Sequence, residues 1–309
     1  MNNRAWTLSL AALLVLAVSP IANAKSLLFE ETFKQFTTLY QQGQYEEAEP
    51  LAEKVLELTA KELLEDSEEK VLVLATVGLF HGARGEYAAA ESLLEQSLQI
   101  LENVFGPNQL DVATLINHLA LNYAKQGRYA EAESLFTRSL ATREKALGPE
   151  HPSVAESLNN LAFNYAYLGR YAEAEPLYTR ALAIHEKALG PEHPDVTAGL
   201  SSLAELFRLQ GRYAEAEPLF IRSLAIREKA LGPEHPDVAT GLNNLAANYA
   251  YQSRYAKAEP LYTRSLKIWE KTLGPEHLDV ATGLSSLAGL FRLQGRYWEA
   301  EPLYTRALS

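Results

Sequence analysis

Apolar residues follow a helical period in two successive segments, and this pair of segments recurs along the chain. In the segment 195–210 they stand at i, i+3, i+4 and i+7, namely Leu200, Leu203, Ala204 and Phe207, which places them on one face of a helix. The segment 214–231 repeats the pattern. The sequence therefore predicts two helices, joined by a turn at Gly211-Arg212-Tyr213 and ended by a stop at Gly232-Pro233.

Two turn markers recur at one constant spacing along the chain. The first is Gly-x-Tyr, whose glycine is replaced once by serine; it stands at 43, 85, 127, 169, 211, 253 and 295. The second is Gly-Pro, at 106, 148, 190, 232 and 274. A fixed period of this length indicates a repeat architecture. We therefore expect seven helix-turn-helix repeats, the last of them truncated.

An isolated helical hairpin cannot bury both of its apolar faces, so the repeats are expected to stack. Small residues such as Ala204 and Ala216 mark where two antiparallel helices approach closely. The predicted fold class is all-α, an α-solenoid with first helices on a concave face and second helices on a convex face.

The segment Leu242–His277 reads Leu-Asn-Asn-Leu-Ala-x-x-Tyr, then Arg-Tyr-x-x-Ala-Glu-Pro-Leu-Tyr-x-Arg, then Glu-Lys-x-Leu-Gly-Pro-Glu-His. It resembles the tetratricopeptide repeat, in the 42-residue variety of the kinesin light chain and of many bacterial arrays. The resemblance covers Leu27 to Ser309. It implies a right-handed superhelix and a protein or peptide partner, but does not identify that partner.

The segment 1–24 has the pattern of a cleaved signal peptide. Arg4 precedes an apolar run, and Ala22-Asn23-Ala24 forms a small-residue cleavage site. The alternative is a membrane anchor, but the run is shorter than the ~20 residues that span a bilayer. We expect cleavage between Ala24 and Lys25, a solenoid over 25–309 without a stable membrane span, and a periplasmic or secreted location.

Composition and the absence of known motifs exclude several kinds of catalytic and metal site. Cysteine is absent, which removes thiolate metal sites and cysteine nucleophiles. With 28 Lys and Arg against 39 Asp and Glu, nucleic acid is not an expected partner. No nucleotide-binding loop, serine-hydrolase elbow or zinc-protease motif occurs in the sequence. We therefore expect no catalytic residue, no metal and no cofactor.

Two recurring polar patterns favour structural roles. Four loop histidines follow a glutamate, at 151, 193, 235 and 277. Packed helices lie ~8–10 Å apart whereas metal bonds measure ~2 Å, so these histidines are interpreted as helix-start residues. Acid pairs such as Glu215 and Glu217 stand near the start of most of the second helices, where acids match the helix dipole.

The candidate binding site is a stripe on the first helices that varies between repeats. It comprises Asn117, Lys125, Asn159, Asn160, Phe163, Tyr167, Ser201, Glu205, Arg208, Asn243, Asn244, Tyr251, Ser285 and Arg292. In the family that the chain resembles, asparagines at the matching positions hold a peptide backbone. Two alternatives stay open: the amides bridge adjacent repeats, and the aromatic residues serve only inter-repeat packing.

The sequence favours a non-catalytic, exported interaction scaffold that binds an extended peptide or partner protein in its concave groove. Positive groove residues in an acidic protein make an acidic or C-terminal peptide a candidate ligand. The alternative is a fragment: the regulatory part of a larger or split enzyme system, for example one with a CHAT-type protease. A third hypothesis is association through an uncapped C-terminal end.

Cleavage after Ala24 can be tested on the exported protein. Intact-mass and N-terminal analysis should show a chain beginning at Lys25. Ala24→Arg should accumulate the precursor, because the cleavage site requires a small side chain there. Asn23→Gln, at the tolerant middle position, is the matched control and should be processed normally; a different first residue, or normal processing of Ala24→Arg, contradicts the prediction.

Overall fold

A computed structural model describes residues 26–308. The predicted signal peptide at 1–24, its cleavage site Ala24–Lys25, and Ser309 lie outside these residues. The described part contains fourteen helices and no strand, and none of these helices has the length and apolar character required to cross a bilayer. The chain divides after Pro149 into two compact units, which are described separately.

Unit 1 contains three helical hairpins. They are α1 (Leu27–Gln41) with α2 (Tyr45–Glu62), α3 (Glu68–Ala83) with α4 (Tyr87–Phe105), and α5 (Leu110–Lys125) with α6 (Tyr129–Leu147). The second helix of each hairpin also packs on the first helix of the next within the unit.

Unit 2 contains four hairpins of the same design. They are α7 (Pro152–Tyr167) with α8 (Tyr171–Leu189), α9 (Val196–Leu209) with α10 (Tyr213–Leu231), α11 (Pro236–Tyr251) with α12 (Tyr255–Leu273), and α13 (Leu278–Leu293) with α14 (Tyr297–Ala307). The predicted helices are confirmed. Tyr213, which the sequence pattern places in the turn, instead begins α10.

Small residues on the facing sides of the paired helices are fully buried. Ala204 of α9 and Ala216 of α10 are both 0% exposed, and alanine keeps two backbones close without leaving a void. Leu200 and Leu242 occupy the same place in consecutive repeats and are also fully buried. These apolar stripes form a core that continues from hairpin to hairpin within unit 2.

The turn glycines are required by the backbone. Gly211 has φ +74°, in the left-handed region that residues with a Cβ rarely adopt. Gly232 has φ +83° and ends α10 with its N–H bonded to Glu228 O at 3.0 Å. Ser253, which replaces a turn glycine, adopts φ +57°, so the local turn geometry is preserved without glycine.

Buried asparagines tie two of the first helices, α5 and α11, to the hairpin before them. Asn122 Nδ2 donates to Tyr87 O at 2.9 Å in unit 1, and Asn248 Nδ2 donates to Tyr213 O at 3.1 Å in unit 2. Asn248 is 0% exposed. Because the acceptor is the first residue of the preceding second helix, the bond fixes the register between neighbouring repeats.

The arginine of each turn forms a second inter-repeat link. In unit 2, Arg212 lies over the Phe207 ring at 4.1 Å from its centroid and contacts Glu215 of its own helix at 2.7 Å. It also reaches Glu175 of the preceding repeat at 2.5 Å. Arg128 of unit 1 does the same with Tyr123, Glu131 and Glu91. The acid pairs thus join repeats, a role beyond the predicted match to the helix dipole.

Two further rows of ion pairs involve the second helices of unit 2. Arginines contact a glutamate in the preceding second helix, in the pairs Arg222–Glu186, Arg264–Glu228 and Arg306–Glu270. Lysines contact a loop glutamate, in the pairs Lys187–Glu150, Lys229–Glu192 and Lys271–Glu234. Most of these side chains are substantially exposed, so each pair contributes little to the stability of the fold. The rows contribute mainly through the number of their pairs.

Loss of the buried amide should weaken repeat stacking. Asn248→Ala removes a hydrogen bond from the fully buried side chain, and the expected fall in unfolding free energy is about 1–3 kcal/mol. Urea denaturation of the full chain measures it. Asn244→Ala, a half-buried neighbour on the same helix, should change stability by less than about 0.5 kcal/mol; equal effects contradict the proposed role of Asn248.

Acid should weaken the arginine links. Hydrogen bonds from the turn arginines lower the pKa of Glu131, Glu215 and Glu299 below the usual value. A lowered folded-state pKa stabilises the fold above the unfolded pKa of about 4.3, and this contribution is lost as the pH falls through the folded-state pKa. The urea midpoint should therefore decrease between pH 7 and pH 3 (roughly the range that spans these carboxylates).

The control for this pH effect replaces Glu131, Glu215 and Glu299 with glutamine. The triple variant should be less stable than the natural chain at neutral pH and should lose less stability on acidification. An identical pH dependence in the two proteins contradicts a contribution from these pairs.

Candidate functional site

The first helices of unit 2 carry most of the predicted binding residues. The name first-helix stripe is used below for Asn159, Phe163 and Tyr167 of α7, Ser201, Glu205 and Arg208 of α9, Asn243 and Tyr251 of α11, and Ser285 and Arg292 of α13. Spacings of three, four, seven or eight residues keep side chains on one side of a helix. All these residues are at least partly exposed.

Two tyrosines dominate the exposed surface of the stripe. Tyr167 and Tyr251, each the last residue of its helix, are 57% and 59% exposed. Tyr167 lies 4.5 Å from Phe163 between ring centroids. Tyr251 stacks on Tyr213 at 5.7 Å with an interplanar angle of 7°. Both rings are held by a neighbouring aromatic residue while a large part of each stays open to solvent.

An arginine on the intervening repeat contacts the second of these tyrosines. The Arg208 guanidinium lies 4.9 Å from the centroid of Tyr251, a cation–π distance. Its Nε donates to Glu205 Oε2 at 2.8 Å, and its Nη2 bonds the other carboxylate oxygen. The hydrogen bond to Glu205 raises the pKa of Arg208 above its usual range. The stripe thus contains an aromatic–cation–carboxylate cluster across α9 and α11.

Buried phenols lie beneath this cluster. Burial raises the pKa of Tyr178 above its usual range, with further contributions from Tyr167 and Glu205. Burial and Tyr251 raise the pKa of Tyr262 to about 12, although Arg208 opposes this shift. Both side chains therefore remain neutral at physiological pH, and the charge in this region belongs to Arg208 and Glu205.

Two amides of the stripe have a buried oxygen without a partner. The Oδ1 atoms of Asn159 and Asn243 are buried and accept no hydrogen bond from residues 26–308. The Oδ1 atoms of Asn122 and Asn248 are likewise without a partner, because those two residues bridge repeats through Nδ2. The predicted neighbours Asn160 and Asn244 are half-buried on the same helices.

The structure does not bring all predicted residues to this surface. Asn117 and Lys125 lie on α5 of unit 1; Lys125 is exposed, whereas Asn117 is only 7% exposed and is left out of the candidate site. Ser201 is engaged internally, since its hydroxyl lies 3.0 Å from that of Ser223 and accepts a bond from Arg227 at 3.2 Å.

The serine on α13 has different surroundings. Ser285 lines a shallow recess of about 450 Å³ with four other residues of α13, namely Leu278, Ala281, Thr282 and Ser286. Arg292 is exposed two helical turns further along the same side of α13. The end of the stripe on α13 therefore combines a mostly apolar recess with an exposed guanidinium.

Three of the four loop histidines cap a helix, as interpreted from the sequence, whereas the N-cap of α9 is Asp195 and not His193. His235 Nδ1 accepts the backbone N–H of Asp237 at 3.1 Å, and His277 does the same with Asp279 at 3.1 Å. His151 and His193 make the corresponding bonds. Among the described residues no cluster of three or more potential metal ligands is found.

Two groups of structural residues were missed at the sequence level. The turn arginines recur once in each repeat from Arg128 onwards, at 128, 170, 212, 254 and 296, and this regularity was a signal for a repeated contact. The bridging asparagines Asn122 and Asn248 stand just after the Leu-Ala pair of their helices, but leucine takes the same place at 206 and 290, which hides the pattern.

Comparison with known proteins identifies the family. The family model described as tetratricopeptide repeat matches six overlapping segments: 37–103, 70–145, 111–187, 153–229, 195–268 and 237–309. The chain is a tetratricopeptide repeat protein. A search of curated proteins gives no match. The fold is suited to protein–protein interaction.

Solved structures of several other proteins are similar to this one. A protein of nearly identical TPR-like repeats from Podosopora anserina, described as a kinesin light chain, is 30% identical over 64% of this chain and 94% of its own, with a TM-score of 0.57. BtubC (BKLC) from P. vanneervenii is 22% identical over 72% and 89%, with a TM-score of 0.60.

A Rap protein complexed with competence and sporulation factor is 15% identical, with a TM-score of 0.63, over 99% of this chain and 91% of its own. At this low identity, the likeness shows the fold alone.

Proposed function

We propose that this protein is a non-catalytic, exported scaffold that binds an extended peptide, or an extended segment of a partner protein, along the first-helix stripe of unit 2. The observation that carries the proposal is the pair of exposed tyrosines, Tyr167 and Tyr251, on alternate repeats with Arg208 between them. Tyrosine and arginine are the residue types most often dominant in binding energy at protein interfaces.

The repeat spacing supports an extended ligand. Packed helices lie ~8–10 Å apart, and an extended chain advances ~3.3 Å per residue. Each first helix would then face about three ligand residues, so a peptide of about a dozen residues would cross the four first helices of unit 2. A helical ligand rises only about 1.5 Å per residue and would place its side chains at a different interval.

The half-buried amides support contact with a ligand backbone. Asn159 and Asn243 each keep a buried Oδ1 without a protein partner, and such an oxygen carries an energetic cost that a donated hydrogen bond relieves. A peptide N–H is one such donor. Asparagines at these positions hold the peptide backbone in the family that the sequence resembles.

The Rap protein in complex with competence and sporulation factor supports the class of partner, because that structure pairs a similar fold with a bound factor. An acidic ligand is favoured by the arginines of the stripe within a protein of formal charge −11. The location is proposed from the N-terminal pattern that ends at Ala24.

The binding role of the two tyrosines can be tested with a double variant. Tyr167→Ala with Tyr251→Ala removes two exposed rings and should reduce partner capture from the exported fraction at least tenfold, because aromatic anchors at interfaces each contribute about 2 kcal/mol or more. Affinity capture with quantitative mass spectrometry measures the loss. Helicity and melting temperature should remain close to those of the natural chain.

The matched control is Tyr297→Ala, which removes a ring that is 65% exposed but lies on the second helix α14. It should retain the partner. Capture that is equal in the double variant and the natural chain, or no capture by any of the proteins, contradicts a binding stripe on the first helices.

A second candidate function is sensing within an enzyme system. A signal transduction ATPase with a tetratricopeptide repeat sensor from Pyrococcus horikoshii has a TM-score of 0.66 at 15% identity, and this chain spans 40% of its length. The stripe would then bind the signal, and an associated enzyme would respond. Co-purification of an enzyme whose activity changes on ligand binding would favour this function over a simple scaffold.

A further inference from the structure

The second helix α12 has one face that its neighbours leave open. The name outer face of α12 is used for Lys257, Pro260, Thr263, Arg264 and Lys267, whose spacings of three, four and seven residues keep them on one side of the helix. All are exposed except Arg264, which is half-buried. The residues that match the two lysines in α10, a helix with a further hairpin on both sides within unit 2, are also exposed; they are Glu215 and Ala225.

Two lysines distinguish this face from the same face of the other second helices. The third residue is glutamate in α6, α8, α10 and α14 but Lys257 in α12, and the thirteenth is alanine in α6, α8 and α10 but Lys267 in α12. The Lys257 ammonium lies 5.3 Å from the centroid of the Tyr249 ring. Neither lysine forms an ion pair with a carboxylate of residues 26–308. The outer face of α12 is therefore locally basic in an acidic protein.

A shallow recess of about 580 Å³ lies on this face, lined by Ala256, Glu259, Pro260, Thr263, Arg264 and Lys267. Two of its charged residues are already paired: Arg264 contacts Glu228 at 2.7 Å, and Arg296 contacts Glu259 at 2.6 Å. The remaining lining is small and uncharged apart from Lys267. The recess can therefore take short side chains, with an acid beside the lysine.

The same face of α2 in unit 1 has the opposite charge. The outer face of α2 comprises Glu47, Pro50, Glu53, Lys54 and Glu57, all exposed. Of the seven second helices, α2 alone has glutamate at both the third and the thirteenth position. Glu57 contacts Lys61 at 2.5 Å, but both side chains are largely exposed, so the carboxylate can also meet a second cation.

We propose that the outer face of α12 docks on the outer face of α2 of a second copy of this chain. Glu47 and Glu57 stand ten residues apart on α2, and the two lysines stand ten residues apart on α12. Each span measures about 15 Å along its helix. Two acid–base pairs therefore form when the helices lie side by side, whether they run parallel or antiparallel. Pro50 and Pro260, between the charged ends, are compact and let the helices approach closely.

The distribution of charge supports a second copy as the occupant. Residues 26–149 contain twenty acidic and ten basic side chains, whereas residues 150–308 contain nineteen and sixteen. Charge complementarity therefore favours contact between unit 1 of one copy and the basic face of α12 in another. Each copy carries one face of each kind, so the contact is heterologous and can join more than two copies. It does not involve the first-helix stripe and is independent of the proposed function.

Cross-linking of two isotopic forms tests the contact. The full chain without its signal peptide is prepared with natural nitrogen and with ¹⁵N, mixed at low ionic strength, and treated with a carbodiimide, which joins touching carboxylates and amines without a spacer. Mass spectrometry should find Glu47 or Glu57 joined to Lys257 or Lys267, with one peptide of each isotopic form. The yield should fall at least fivefold in about 1 M salt, where the Debye length is only about 3 Å and exposed ion pairs are screened.

Charge reversal tests which faces meet. One variant combines Glu47→Lys with Glu57→Lys, and the other combines Lys257→Glu with Lys267→Glu. Sedimentation should show that each variant alone associates at least tenfold more weakly than the natural chain, because its two outer faces then have the same charge. An equimolar mixture of the two variants should associate again, since the reversed α2 of one matches the reversed α12 of the other.

The control for net charge combines Glu31→Lys with Glu276→Lys, two exposed acids outside both outer faces. It should associate as the natural chain does. Association that falls equally in the control and in the α2 variant would overturn the proposal, because only net charge would then matter. Loss in the α12 variant with full association of the α2 variant would also overturn it, since the lysines would then meet a different acidic surface.

Absence of mixed-isotope cross-links between these residues in the natural chain would overturn the proposal directly. The same holds if the mixture of the two variants does not associate while each of them is folded. Should circular dichroism show that a variant is not folded, the cross-links of the natural chain and their loss in high salt decide.

Discussion

A two-helix hairpin of this length cannot bury both of its apolar faces, and the structure depends on this constraint. Ala204 against Ala216 brings the helices of one hairpin close enough to share an interior, but the outer apolar face of the second helix still needs a cover. The next hairpin provides it. Stability therefore lies in the interfaces between hairpins, and the residues that define those interfaces must recur in nearly every repeat.

This requirement separates two classes of position. The turn arginine with its two glutamates, and the alanines of the helix crossing, are fixed by stacking. The first-helix stripe is not fixed by stacking. One of its positions carries, in successive repeats of unit 2, Phe163, Glu205, Ala247 and Gly289. A position that tolerates an aromatic residue, an acid and a glycine contributes little to stacking. The side chain at such a position can therefore be one that suits a ligand.

The sequence predicted the fold well because the fold depends on a periodic pattern. Spacing of apolar residues gave the helices, and the Gly-x-Tyr and Gly-Pro markers gave the turns. Contacts between repeats were harder to predict from the sequence. Arg212 and Glu175 are 37 residues apart, so their pairing depends on the register between hairpins. Exposure was also hard to predict, as Asn117 and Asn159 hold equivalent positions in the period but differ in burial. That difference depends on packing around each amide.

Residues 201–209 of α9 and 285–293 of α13 differ only at Glu205 against Gly289, which shows how a stacked array can vary one residue of the stripe on an unchanged packing background. Exchange of Glu205 for Gly289 changes no residue that the hairpin crossing needs, since Ala204 and Ala288 are both buried in the same way. It alters whether the arginine three residues later has a carboxylate partner on its own helix, as Arg208 has in Glu205. In a repeat protein the ion pairs of the stripe can therefore vary from repeat to repeat, because stacking supplies the stability that a missing pair would have contributed.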